Sequence, residues 1–587
     1  MHNFYFKISS FLLVILVAAA GVIFAGQSQQ QPQQQNQPAS QQTQAAPTPD
    51  SSAVNQIIDK ITARESVLAA RMRTLHPIVE TYLQTLEKDD AVAFRPTGDK
   101  YFLSKLDLNS QDREQTMLKK EGLADKLLGK VTQIYSVKYL SSGFAQMILV
   151  GNNFDRKNYD FEYVRREFLG DVRTVVFDVQ PKKGAKGTFK GRIWAEDQDF
   201  TIVRFNGTLG SSTATKMFFH FDSWREYMAN GEWLPAYVYT EESGISYLMG
   251  ARKLRFKGQT RLWAYNVGKA NAQNELTSLI VESNQVNDTV DEADAISPVR
   301  SQRAWERDAE DNIIHRLQKA GLMAPDGEVN KVVETVATNI QITNNLDIQP
   351  EVRARVLLTS PLESFTIGNT IVLSRGLIDV LPDEASLAMI VAHELAHIAL
   401  GHQIDTKYAF NDRLLFDDPD AFRKIQLKRD EKEEIEADKK AAELLKNSPY
   451  KDKLGNAGLF LKAVDDRAGQ LPNLLLPHIG NTMVKGSQVQ RMVDLKQAAP
   501  KLEMGKIDQI AALPLGGRVR IDPWNNNLEL LKAKAVPLVA AREKMPFEIT
   551  PVHLYLSRQI GSPEAAKAAT ATKTPPDKSN QGSAVKQ

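Results

Sequence analysis

The chain has 587 residues, enough for several domains rather than one. Its 73 basic and 71 acidic residues nearly cancel to a net charge of +2, which gives no electrostatic footprint for nucleic acid. It contains no cysteine, which excludes disulfides, cysteine-ligated metals and a lipidated cysteine anchor. The N-terminus carries Lys7 and an apolar run from Phe11 to Ala25, then turns polar at Gly26. A basic end, a short apolar core and a polar switch predict a signal peptide over residues 1–25, cleaved after Ala25, with an uncut membrane anchor as the alternative. The run is short for a membrane span. Either way the body is expected in the periplasm or cell envelope. Residues 26–52, rich in Gln and Pro, read as a linker without core-forming side chains.

Residues 53–130 are expected to be helical, because Ile57, Ile58, Ile61, Leu68, Met72, Leu75 and Ile78 recur at helical spacing. Residues 131–290 change to alternating strands with aromatics, including Val175–Val179, Phe189–Ala195, Phe200–Arg204, Phe221–Trp224 and Trp233–Pro235. This run of proline, glycine, tryptophan, aspartate and arginine, followed by a tryptophan–proline strand, resembles the curved half-barrel of LolA-like lipoprotein-sorting carriers. The resemblance implies a concave apolar face for a lipid acyl chain or a client peptide. The plainer reading is that Trp194, Trp224 and Trp233 fill a sheet core.

The next segment holds the chemistry. His393-Glu394-Leu395-Ala396-His397 spells H-E-x-x-H within Asp383–Leu400, a run apolar on almost every side. That pattern predicts a buried helix, opened by Pro382 and Asp383 and stopped by Gly401. Residues i and i+4 share a helix face, so both imidazoles can point at one zinc ion while Glu394 reaches its water as general base. Two histidines and a glutamate are costly inside such a helix without a partner, and a metal supplies one.

The third ligand lies elsewhere. Leu400 and Gln403 occupy the places where a metzincin needs glycine and histidine, and Phe416 and Asp417 occupy the glutamate places of two other zinc-peptidase patterns. Glu434-Ile435-Glu436-Ala437-Asp438 reads E-x-x-A-D in a charged helical segment from about Phe422 to Lys446. Glu434, Ala437, Asp438, Ala441 and Leu445 share one stripe. This makes Glu434 the third zinc ligand and Asp438 the acceptor that fixes a histidine tautomer. Asp417 or Asp418 is the rival ligand.

From about Val356 to Leu495 the sequence resembles the M48 peptidases, a family that includes the CAAX prenyl proteases, HtpX and the beta-barrel assembly-enhancing protease. The likeness rests on Phe365–Leu377, on VAHELAHIALGH from Val391 to His402, and on Glu434–Asp438. It implies zinc on His393, His397 and Glu434, Glu394 as base, and the Phe365–Leu373 strand as the edge on which an extended substrate pairs. Family members carry a histidine six residues before an arginine equivalent to Arg491, where this chain has Lys485; His478, after Pro477, is the nearest substitute for a site role. Arg491 itself is open between oxyanion stabilisation and an ordinary salt bridge.

The expected fold class is therefore α+β multidomain: a mainly helical, gluzincin-type peptidase domain at 291–500 with a small edge-strand sheet, preceded by the β-rich domain. A small β-rich domain is expected over 501–560, packed on the peptidase domain, and a disordered tail over 561–587. The expected function is a zinc metalloendopeptidase acting on unfolded or misassembled envelope proteins, without the membrane spans of HtpX. The alternative is a lipid- or client-binding protein with a latent peptidase domain.

Overall fold

The computed structural model describes residues 51–558 except 109–113, 117–146, 152, 186–188, 210–219, 248–251, 267–297, 403–426, 478, 532–537 and 545–546. The expected signal peptide, most of the linker and the C-terminal tail lie outside the described residues, as do His478, Asp417 and Asp418.

Helix α1 (Ser51–Met72) buries Ile58, Ile61, Leu68 and Met72, a stripe at helical spacing. The chain then enters a ten-stranded antiparallel sheet rather than continuing as helix. Its strands are β1 (Ile78–Asp89), β2 (Ala93–Leu106), β3 (Glu114–Thr116), β4 (Tyr159–Leu169), β5 (Val172–Pro181), β6 (Phe189–Glu196), β7 (Ile202–Leu209), β8 (His220–Tyr227), β9 (Trp233–Tyr247) and β10 (Arg252–Trp263). The spatial order is β3-β2-β1-β10-β9-β8-β7-β6-β5-β4, so the first strand closes onto the last, with Ile78 opposite Trp263. Among the described residues the helical expectation for 53–130 therefore holds only to Met72; residues 117–130 lie outside them. The first seven residues of β1 are all buried, and burial on both faces removes the two-residue alternation that marks a strand.

The two faces of the sheet have different partners. Val79, Leu83, Phe177 and Val238 pack in one core with α1, where Glu65 and Arg225 form a buried ion pair at 2.8 Å. Tyr82, Trp194, Trp224, Trp233 and Trp263 share the other core with the rest of the molecule. The tryptophans are covered, with His553 edge-on to Trp224. Burying such rings at 2–4% exposure contributes a few kcal/mol each, on the order of.

The second half begins with α2 (Pro298–Lys319) and α3 (Glu328–Thr343). A three-stranded sheet follows, of β11 (Arg353–Leu357), β12 (Ser364–Ile367) and β13 (Thr370–Ser374), in the order β11-β13-β12. Residues 365–373, expected as one strand, fold as a hairpin: Gly368 takes φ +54° at the turn, and Glu310 of α2 accepts hydrogen bonds from Asn369 N and Thr370 Oγ1. Then come α4 (Arg375–Val380), α5 (Glu384–Ala399), α6 (Glu431–Lys446), α7 (Leu454–Arg467), α8 (Pro472–Leu475), the hairpin of β14 (Val484–Lys485) and β15 (Gln488–Val489), and α9 (Val493–Ala498).

Beyond residue 500 the described chain holds only two short strands, β16 (Val519–Ile521) and β17 (Leu528–Leu530). The β-rich expectation is corrected to a largely irregular segment that touches both halves. Leu513 N donates to Val380 O, Arg518 and Val519 donate backbone N–H groups to Asp379, and Gln84 brackets Phe547 O and Ile549 N. Backbone groups satisfied by side chains from both halves explain how an irregular segment can be buried. No described helix is long and apolar enough to cross a membrane.

Candidate metal centre

Helix α5 starts cleanly because Asp383 caps it, accepting a hydrogen bond from Ser386 N at 2.9 Å, with Glu384 in the first turn. It ends as Gly401 adopts φ +71°. Between these ends the helix is nearly all buried, and His393, Glu394 and His397 are 0–1% exposed. The i,i+4 spacing stacks the imidazoles with ring centroids 4.8 Å apart.

Helix α6 begins on an Asp430 cap that accepts from Glu433 N. It packs on α5 through Ala437 and Ala441, both fully buried, and these small residues allow close approach. One turn earlier, Glu434 faces the histidines: its oxygens lie 3.4 Å from His393 Nε2 and 3.2 Å from His397 Nε2. On the same helix, Lys432, Ile435 and Glu436 are exposed.

The hydrogen bonds orient both rings. Asp438, one turn after Glu434, meets His393 Nδ1 at 2.8 Å, and its other oxygen accepts from Met492 N. A carboxylate can only accept, so His393 carries its proton on Nδ1 and presents a bare Nε2 inward. His397 Nδ1 is 3.0 Å from His402 Nδ1, and His402 Nε2 points at Glu436, 3.4 Å away. The two Nε2 atoms stand 3.1 Å apart. Lone pairs facing at that distance, with a carboxylate closing the triangle, call for a cation between them. Zn–N bonds of 2.0–2.1 Å at a tetrahedral angle separate two nitrogens by ~3.3 Å, near the spacing found. His393, His397 and Glu434 thus form a cluster capable of holding a metal ion, and no other group of three such ligands occurs among the described residues.

Charge on the donors follows from their surroundings. Burial opposes the Glu434 carboxylate, but Arg491 and the two histidines outweigh it and hold the group far below the ordinary range. Burial lowers the His397 pKa. For His393, burial and Arg491 act downward, yet Asp438, Glu434 and Glu394 raise it overall.

Sequence reasoning placed six residues here: His393, Glu394, His397, Glu434 and Asp438 lie together, and His478 is outside the described residues. That reasoning undervalued Arg491. That side chain is buried, donates to Ser364 Oγ at 2.6 Å, and lies 3.3 Å from Glu394 and 3.4 Å from Glu434. Its only signal was the Arg491–Leu495 stretch. Asn481, which donates to Glu434 Oε1 at 2.6 Å, and Arg429, which reaches Thr366 Oγ1 and His402 O, had no signal at all. Strand β12 runs beside the cluster through Ser364 and Thr366, and no described strand pairs with its outer edge.

Two helices presenting His, His and Glu to one point define a metal-binding α/β domain. Residues 323–415 match the profile of peptidase family M48, so the chain carries an M48 peptidase domain; the match includes β11–β13 and α5 but stops short of Glu434. No curated protein matches the chain. Among solved structures, a LolA superfamily protein of Nitrosomonas europaea aligns at 11% identity over 35% of this chain and 90% of its own, with a TM-score of 0.18. An outer membrane lipoprotein-sorting protein domain of Vibrio parahaemolyticus aligns at 12% identity over 35% and 89%, with a TM-score of 0.16.

Proposed function

We propose that this protein is an exported, zinc-dependent metalloendopeptidase that hydrolyses peptide bonds of unfolded or misassembled cell-envelope proteins. The observation that carries this reading is the three-donor cluster of His393, His397 and Glu434 with Glu394 beside it. Zinc at this cluster supplies Lewis-acid polarisation of a carbonyl and an acidified water. Glu394 takes a proton from the attacking water and delivers it to the leaving amine. Arg491 donates to Glu394 and orients it, and Asp438 keeps the His393 tautomer that leaves Nε2 free. Strand β12 is the element on which an extended polypeptide would pair its main chain, a contact that favours unfolded over folded substrates; its four residues are buried, so pairing requires the Gly480 segment packed against Ser364 and Phe365 to move. The envelope setting is supported by the leader-like start of the sequence and the absence of cysteine, together with the resemblance to the exported branch that includes the beta-barrel assembly-enhancing protease.

The alternative, a lipid- or client-holding protein with a latent peptidase domain, gains no support from the tryptophan-bearing face, because Trp194, Trp224 and Trp233 are covered. The deciding experiment incubates the zinc-loaded protein with a chemically unfolded substrate beside its Glu394→Gln variant. Cleavage by the parent, with a loss of at least about 10²-fold in the variant, supports the reading. Zinc bound stoichiometrically by both with no cleavage by either would favour the latent alternative.

A further inference from the structure

A second site, lined by none of the metal-cluster residues, lies on the face of the ten-stranded sheet that carries Tyr237 and Trp263. A cavity of about 160 Å³ opens there between β10, β16 and residues Val552–Tyr555. Its walls are mostly apolar, with Tyr237, Trp263, Val552 and Leu554 among them, yet Arg261 and Arg375 also line it.

The two arginines are in different states. Arg375 is paired: Glu80 lies 2.8 Å from it, and the same carboxylate also accepts from Ser360 and Tyr101. Arg261 is 9% exposed and has no hydrogen bond or ion pair among the described residues; its guanidinium stands 6.0 Å from the Tyr237 ring. Gln259, two residues earlier on the same face of β10, is 2% exposed with both amide atoms unpartnered. Both side chains converge on Gly516, where φ is +89° and an added Cβ would collide with Arg261 Nη2. The backbone therefore makes room for the guanidinium without satisfying it.

The neighbouring acids are partly engaged: Glu226 itself lines the cavity, and Asp379 keeps one oxygen, Oδ2, without a partner. Glu226 pairs with Arg520 at 2.9 Å, and Asp379 Oδ1 accepts the N–H groups of Arg518 and Val519. Burial, followed by the charge of Arg261, pushes Arg375 down to about 10, so the cavity carries an excess of positive potential. Leaving a guanidinium buried without a partner is costly, whereas an anionic ligand would remove that cost.

We propose that this cavity is a binding site for a small organic carboxylate, with its head on Arg261 and its apolar body against Tyr237, Trp263, Val552 and Leu554. A cavity of roughly 150 Å³ accepts a benzene ring, so the space suits a chain of about four to six carbons. Such a carboxylate is either a free acid or the carboxyl terminus of a peptide.

The test measures binding of hexanoate, hexanol, acetyl-leucine and acetyl-leucinamide to the full chain by equilibrium dialysis, beside Arg261→Met. The expected result is one hexanoate per chain, no binding of hexanol, and at least tenfold weaker hexanoate binding in the variant. Acetyl-leucine binding more tightly than hexanoate, with the amide silent, identifies a peptide terminus; the reverse order identifies a free acid. Thermal unfolding keeps the result interpretable. Arg261→Met should match or exceed the parent in Tm, because it removes an unpaired buried charge. Hexanoate binding that is absent in the parent, equalled by hexanol, or unchanged in a folded Arg261→Met overturns the proposal, as does a Tm of Arg261→Met markedly below that of the parent, which would show that the guanidinium is already partnered.

Discussion

Arg491 directs Nη1 to Glu394 Oε1 at 3.3 Å, with both side chains 2–3% exposed. Its Nη2 lies 3.4 Å from Glu434, so one buried cation serves both the proposed base and a proposed metal ligand. The arrangement opposes two requirements: the positive charge holds the Glu434 carboxylate well below its ordinary range and positions Glu394, but it also repels a metal ion. Arg491→Met should therefore split the two properties. Zinc affinity, measured by chelator competition, is expected to rise about tenfold, equivalent to ~1.4 kcal/mol, while cleavage of an unfolded substrate falls by at least as much. A parallel fall in both would mean that Arg491 only maintains the fold.

Asp438 supplies the hydrogen bond that sets the His393 ring, and it also accepts from Met492 N. Asp438→Asn preserves size but weakens the acceptor facing Nδ1. Metal affinity is expected to drop by about 10–100-fold with little change in unfolding temperature of the metal-free protein. Equal affinities for variant and parent would remove Asp438 from the metal centre.

Glu65 and Arg225 tie α1 to the ten-stranded sheet through a buried pair, 3% and 0% exposed. Glu65→Leu leaves Arg225 buried and uncompensated, which should cost about 3–5 kcal/mol in a urea titration. Adding Arg225→Met should recover half or more of that loss, because two apolar side chains no longer require solvation. A single variant as stable as the parent would show that α1 docks without this pair.

Burial raises the Glu226 pKa, although Arg520 pulls the other way. With the folded value above the unfolded one, the native state holds this proton more tightly. The stabilising contribution is fully present below the unfolded pKa, near 4.3, and is lost as pH rises through the folded value. Relative to Glu226→Gln, the parent should thus lose stability as pH rises above the unfolded pKa, in paired denaturation curves. A difference that does not vary with pH would show that Glu226 titrates alike in both states.

The legible parts of this protein are those whose geometry is local. His393, Glu394 and His397 could be read directly because four residues make about one helical turn, whatever surrounds the helix. Glu434 and Asp438 were readable for the same reason, since a stripe with Ala437 and Ala441 marks the inward face of α6. Strand β1 was not legible: both faces are buried and the buried residues include Glu80, Thr81 and Gln84, so no apolar–polar alternation marks it off from the preceding helix.

By itself, then, the sequence determined the donor set, the helices that carry it, a leader-like start and the strand-rich character of the first half. Tertiary structure alone decided what meets those elements. Arg491 reaches Glu394 across 97 residues, and Gln84 holds Ile549 across 465. Such contacts depend on how separate elements pack, and no spacing rule encodes them. The same holds for Arg261, an ordinary alternating strand residue until Gly516 and the C-terminal segment enclose it beside a cavity whose one lining acid, Glu226, pairs with Arg520 instead.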